Sequence, residues 1–217
     1  MSGTLFIGNR RYSSWSMRGW LSVRLAGLDV ADVVIPMSEG STPAIKDRMP
    51  GGLVPCLEHD GVRVWETLAI AEYCAEQVPG LWPEDRVARA HARSIAAEMH
   101  AGFAGLRTNF PMNLGRPDLA GRPTTPACDA DIARIEAIWL QTRALFGAAG
   151  PFLFGAAFGN ADAMFAPVVT RFLTYAPALS PGTAAYCAAV RAHPLVTRWY
   201  ELAAEEPDDW LLAKYEP

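Results

Sequence analysis

Gly52-Leu53-Val54-Pro55-Cys56-Leu57 and Trp65-Glu66-Thr67-Leu68-Ala69-Ile70-Ala71-Glu72-Tyr73 flank the tripeptide His59-Asp60-Gly61. Asp-Gly between apolar runs is a strong hairpin signal, because the tight turn needs residues that tolerate positive φ. The spacing predicts strands over residues 55–57 and 62–65, with His59 in the turn. Thr67 then opens a helix through Leu68, Ile70, Ala71 and Cys74. Upstream, residues 4–7 and 30–35 read as short apolar strands. Between them, residues 13–26 read as a serine-capped amphipathic helix with Trp20 and Val23 on its apolar side and Leu28 just beyond. Strand, helix, strand, loop, hairpin, helix is the order of a thioredoxin-like βαβαββα domain, here taken as residues 1–79.

Val78-Pro79-Gly80-Leu81-Trp82-Pro83 cannot continue a helix or a central strand, so residues 80–85 are read as a linker. The remainder, 86–217, shows helical periodicity almost throughout, and the fold class is α+β with an all-helical C-terminal domain. Ile95, Met99, Phe103, Leu106 and Phe110 recur as one stripe and predict a single long helix starting near Asp85. Thr125 before Pro126 caps a second, carrying Ile132, Ile135, Trp139, Thr142 and Phe146. Shorter helices are expected from Asn160, from about Thr183 and from Pro194, and Trp210-Leu211-Leu212 is expected to dock back on the bundle.

The chain has 217 residues, 51% apolar and 19% charged, with a formal charge of -4. This buries a core and lacks the basic footprint on which nucleic-acid binding depends. No stretch reaches about 18 unbroken apolar residues, and residues 1–11 lack a charged start followed by an apolar run. Neither a membrane span nor a signal peptide is expected, and the location is read as cytoplasmic. Cys56, Cys74, Cys128 and Cys187 form no C-x-x-C pair and are expected to be buried, reduced thiols. His91 and His100 would face opposite sides of a helix. With no P-loop, G-x-S-x-G, G-x-G-x-x-G or H-E-x-x-H motif, no metal site is expected.

Tyr12-Ser13-Ser14-Trp15-Ser16-Met17-Arg18 sets three hydroxyls where a strand gives way to a helix, where backbone N–H groups lack partners. Such a place attracts anions. A hydrogen bond to a charged group contributes roughly 1.5 to 3 kcal/mol, and a helix N-terminus roughly 0.3 to 1 kcal/mol more. Together they would lower a bound thiol from about 8.5 by at most one to three units, toward the nucleophilic thiolate. Plain helix capping is the competing role for the serines and for Thr67. If the bond between Val54 and Pro55 is cis, the backbone of Val54 turns outward to pair with an extended peptide. Thr67 would hold a carboxylate at the helix start, and Glu66 an ammonium group. One ligand with a thiol, a peptide backbone and an amino-acid head satisfies all three places.

These residues closely resemble the glutathione transferase pattern. In that family the proline after valine is cis, and an acidic or amide residue followed by Ser or Thr holds the γ-glutamyl group. The resemblance extends over nearly the whole chain. Gly159-Asn160-Ala161-Asp162 with Pro167 is similar to the family's helix-nucleating segment, with Gly159 where Ser or Thr is usual and Asp162 structural; His193-Pro194-Leu195 through Trp199 is similar to its last helix start. Ser13-Ser14-x-Ser16-x-Arg18 is most similar to the zeta class, which implies Ser13 first and Ser14 second as the hydroxyl serving the thiolate. That class has Cys at the place of Trp15 and Gln at the place of Glu66. The resemblance implies glutathione as co-substrate held by Ser13, Ser14, Val54, Pro55, Glu66 and Thr67, and a small electrophile at Trp15, Met99, Phe103 and Arg107. It further implies a homodimer, no metal, and conjugation in detoxification. The alternatives are a zeta-like maleylacetoacetate-type isomerase and a binding or regulatory module without turnover.

Overall fold

The computed structural model describes residues 3–37, 42–116 and 118–216. Its N-terminal part runs β1 (Gly3–Ile7), α1 (Ser14–Leu25), β2 (Val30–Val34), α2 (Pro43–Lys46), β3 (Cys56–His59), β4 (Val62–Trp65) and α3 (Thr67–Gln77). The sheet order is β2-β1-β3-β4, with β1 and β2 parallel and both remaining pairs antiparallel. Leu5 pairs with Leu57 in register, and with Ile7 these side chains are fully buried against α1 and α3. Phe6 and Cys56 point to the opposite face, where Ile35, Ile45 and Met49 form a smaller cluster. The alternation along β1 thus builds two apolar faces from one strand. Asp60 and Gly61 take φ of 51° and 78°, as the predicted turn requires. His59 lies one step earlier than expected: it ends β3, buried, with Nδ1 2.8 Å from the Tyr73 hydroxyl.

The helical part runs α4 (Arg86–Ala101), α5 (Ala104–Asn109), α6 (Pro126–Phe146), α7 (Asn160–Tyr175), α8 (Pro181–Ala192) and α9 (Pro194–Ala204). Its starts are written in the sequence. Asp85 accepts the N–H groups of Val87 and Ala88, Thr125 accepts that of Cys128, and Ser180 accepts that of Thr183. Pro126, Pro181 and Pro194 each stand at the opening of a helix, where a missing N–H costs nothing. The helix expected from about Thr183 therefore begins two residues earlier. The one from Asn160 is not short: α7 has 16 residues, buried nearly throughout, and packs against α1, α4 and α8 as the axis of the bundle.

The single long helix expected from Asp85 is two helices. α4 ends at Ala101, Gly102 is extended, and Phe103 takes a left-handed φ of 63° before α5 begins. The apolar stripe continues through the break because Phe103 and Leu106 still face the core, so spacing alone does not register it. A side-chain carbon on Gly102 would stand 2.9 Å from the Glu98 carbonyl. Arg107 closes the break, donating to the carbonyls of Gly102 at 3.0 Å and Met99 at 2.5 Å. A cation at the carbonyl end of α4 also suits the helix dipole.

Buried contacts fix the two parts to each other. Arg18 donates Nε–H to the Met164 carbonyl at 2.7 Å, and Asn160 donates to the Ala71 carbonyl at 3.0 Å. Trp199 donates its indole N–H to the Arg10 carbonyl, and the C-terminal segment, expected to dock on the bundle, instead bonds to the loop between β1 and α1: the Trp210 carbonyl accepts from the Asn9 amide and the Leu212 N–H donates to the Tyr12 hydroxyl. All four cysteines are buried and unpaired, and burial pushes the Cys74 and Cys187 thiols up to about 12, which keeps them protonated and inert. Among the described residues no helix is long and apolar enough to cross a membrane, and no group of three or more His, Cys, Asp or Glu is arranged to hold a metal ion.

Candidate active site

The loop from β1 into α1 is held rigidly. Gly8 donates its N–H to Ser16 Oγ at 2.9 Å, Asn9 accepts the Met37 N–H at 2.6 Å, and Glu206 accepts the N–H groups of Arg10 and Arg11. Its last residue, Ser13, caps α1: Oγ accepts the Ser16 N–H at 3.3 Å and lies 2.8 Å from Ser16 Oγ. Ser14 opens the helix, and its Oγ accepts a hydrogen bond of 3.3 Å from Arg171 Nη2. Both serines line a cleft of about 620 Å³ between the two parts of the chain.

The Val54–Pro55 peptide bond is cis. No hydrogen bond among the described residues occupies the N–H or C=O of Val54. Gly19 brings this loop onto α1, since a side-chain carbon there would come within 2.7 Å of Pro55. Val54, Leu53 and Trp15 line both the larger cleft and an adjoining one of about 350 Å³, which Pro55, Glu66, Thr67 and His100 complete. Glu66 holds φ 68° and ψ 132°, a backbone region that costs a side-chain-bearing residue on the order of 1 to 3 kcal/mol. The strained residue turns its carboxylate to the smaller cleft, 3.6 Å from His100 Nε2, while the buried Thr67 hydroxyl lies 3.2 Å from His100 Nδ1. Burial lowers His100 below the ordinary histidine value; nearby Glu66 works the other way, and Arg18 and Arg107 add to the lowering.

The far wall of the larger cleft is cationic. Among the described residues Arg107 and Arg171 line it, with Lys46 and Lys214 also in the lining, and none of these lining residues is an Asp or Glu. Trp15 sits under two guanidinium groups, those of Arg18 at 4.9 Å and Arg107 at 4.6 Å from the ring centroid, and meets the His100 ring edge-on. Burial, then repulsion from Arg107, lowers Arg171 to about 9, so it stays cationic at neutral pH. Arg107 is lowered by burial too, against the pull of Asp131.

Two family descriptions match: the glutathione S-transferase N-terminal domain over residues 12–77 and the C-terminal domain over residues 115–202. The chain belongs to the glutathione S-transferase family. It is 33% identical over 99 residues to a probable maleylacetoacetate isomerase of Caenorhabditis elegans, a match over 45% of this chain and 46% of that one, so it spans about half that relative's length. With glutathione S-transferase L3 of Arabidopsis thaliana it shares 25% identity over 223 residues, 99% of this chain and 86% of that protein. A Burkholderia glutathione transferase homolog, solved with bound glutathione, superposes with a TM-score of 0.71 at 21% identity, over 95% of this chain and all of that one.

Against this family background, the structure brings Ser13, Ser14, Trp15, Val54 and Arg107 to the larger cleft and Val54, Pro55, Glu66 and Thr67 to the smaller. It does not bring Met99 and Phe103 to either: Met99 is fully buried and Phe103 nearly so, both within the core. The break after Ala101 turns Phe103 inward, and Pro111, Met112 and Tyr215 are among the residues that line the larger cleft. Sequence reasoning missed Arg171, Lys46 and His100. Arg171 carried a signal: a cation in the middle of a helix buried nearly throughout is rarely there without a partner.

Proposed function

We propose that the protein conjugates the thiolate of glutathione to a small electrophile, with the tripeptide lying along the two adjoining clefts. The observation that carries this reading is their shared wall: Val54, whose peptide edge no described residue pairs with, stands between the serine hydroxyls on one side and Glu66 and Thr67 on the other. In this reading Thr67 and its helix N-terminus take the γ-glutamyl carboxylate and Glu66 the ammonium group. The cysteinyl peptide pairs with Val54, the sulfur meets the serines, and Lys46 faces the glycine carboxylate. The thiol proton passes to water on binding, and a hydroxyl donating to the sulfur holds the resulting anion. The thiolate pair then attacks the electrophilic carbon, and the leaving group departs with its bonding electrons. The homodimer implied by the family resemblance belongs to the same proposal, and gel filtration at micromolar concentration checks it.

The cationic wall that Arg107 and Arg171 form favours an electrophile that itself carries negative charge, with Arg107 as its partner. An assay with a neutral aryl halide and a halogenated carboxylate tests this. Arg107→Met is expected to lower kcat/KM for the acid by about tenfold or more, the value of a charge-assisted hydrogen bond, and to change the aryl halide far less. Equal losses for both would assign Arg107 to the closure of α4 alone. The same wall, with the partial match to a probable maleylacetoacetate isomerase, favours isomerisation of a cis-enedione acid as the second reading. Turnover of the enedione without conjugation of either halide would select it. A protein that binds glutathione and turns over none of these substrates is the binding module.

A further inference from the structure

Three guanidinium groups converge on the first turn of α1. Arg107 and Arg171 line the larger cleft, and Arg18 lies fully buried behind Trp15, its Nη1 and Nη2 without partners among the described residues. Arg171 anchors itself with Nε on the Phe110 carbonyl at 2.8 Å and Nη1 on the Pro167 carbonyl at 2.9 Å, and turns Nη2 to Ser14. A guanidinium has only donors. The Ser14 oxygen must therefore accept, and its one proton has no partner among the described residues. Ser13 is placed differently: its oxygen accepts the Ser16 N–H and its proton is donated to the Ser16 hydroxyl oxygen, which completes the cap.

We propose that Arg171 is a positioning residue for the nucleophile: holding the Ser14 oxygen from behind, it aims the Ser14 proton at the cysteinyl sulfur of glutathione, which makes Ser14 the catalytic hydroxyl and Ser13 the helix cap. This rests on the reading of the site as a glutathione transferase. The cation polarises the hydroxyl it holds, as charge-assisted chains of hydrogen bonds do. Arg18 and Arg107 add positive potential at the same turn, and each of the three is disfavoured by burial and by a neighbouring guanidinium or only partly offset by a distant acid. An anion at Ser14 is the group that relieves this arrangement, and a thiolate supplies it.

Titration of bound glutathione through its ultraviolet thiolate absorbance tests the proposal. Ser14→Ala is expected to raise the apparent pKa of the bound thiol by about one to two units, the effect of one hydrogen bond to a charged acceptor, with the glutathione dissociation constant little changed. Ser13→Ala is expected to move it much less. Arg171→Lys, which keeps the charge and loses the fork, is expected to shift it by about half a unit to one unit, and this shift should vanish in the Ser14→Ala background, as non-additivity of coupled residues requires. In every shifted variant kcat should recover as the pH is raised past the new thiol pKa, which a merely structural defect would not allow. A Ser13→Ala shift equal to or larger than that of Ser14→Ala, or an Arg171→Lys shift that persists undiminished without the Ser14 hydroxyl, overturns the proposal. Should Arg171→Lys not fold, the two serine variants decide alone. A wild-type chain that binds no glutathione overturns the underlying reading; binding with unmoved pKa values overturns this inference only.

Discussion

Turnover with a model electrophile is expected to fall by about 10²- to 10³-fold when Ser13 and Ser14 are both replaced by alanine, the usual cost of losing a donor to a developing or standing anion. Affinity for glutathione should change by no more than a few fold, because Val54, Glu66, Thr67 and Lys46 are distributed along the rest of the two clefts. The asymmetry is the informative part. Both hydroxyls sit at the opening of α1, and neither lines the smaller cleft proposed for the amino-acid head. Steady-state kinetics paired with calorimetry measures the two effects on one preparation. An unchanged rate refutes the serine assignment, and a loss confined to binding would make the serines mere ligand contacts.

Asp162→Ala is expected to destabilise the protein by about 3 to 5 kcal/mol, since two buried donors and a part-buried one lose their acceptor at once. Asp162 accepts the Leu153 N–H at 3.1 Å, the Gly159 N–H at 3.0 Å and the Tyr186 hydroxyl at 2.9 Å, and it is almost fully buried at the start of α7. Gly159 offers no side chain to cap the helix, so the carboxylate is what closes its first turn. Arg171 rides on the same helix, so the loss extends to the serines. Burial raises Asp162 from 3.8 to about 6, against the opposing pull of these hydrogen bonds. The folded state thus holds this proton more tightly than the unfolded chain does. Its contribution to stability is fully present below pH 3.8 and is lost as the pH rises through about 6. Urea unfolding of wild type and variant across that window measures both effects; a variant within about 1 kcal/mol of wild type would remove Asp162 from the structural account.

The half of the site that depends on local rules was legible. Asp60-Gly61 can make only one kind of turn between two apolar runs, and the serines and Thr67 fall at helix starts wherever they are read from. What joins distant segments was not. Arg171 reaches Ser14 across 157 positions, and His100 reaches Thr67 across 33, by packing that no window of sequence contains. Met99 and Phe103 failed for a different reason. Their spacing is helical, and the stripe stays apolar across the break, so periodicity continues where the helix does not. The cue lay in Gly102 and Arg107, a residue that ends helices beside a cation able to cap their carbonyls. Glu66 shows the same limit at one residue: nothing in its type announces a φ of 68°.

A crystal structure of the wild-type protein with glutathione bears most directly on the account. It should place the sulfur within hydrogen-bonding reach of the hydroxyl at position 14, the cysteinyl peptide on Val54, and the γ-glutamyl carboxylate on Thr67. A tripeptide bound elsewhere, or one whose sulfur turns away from the start of α1, would contradict it.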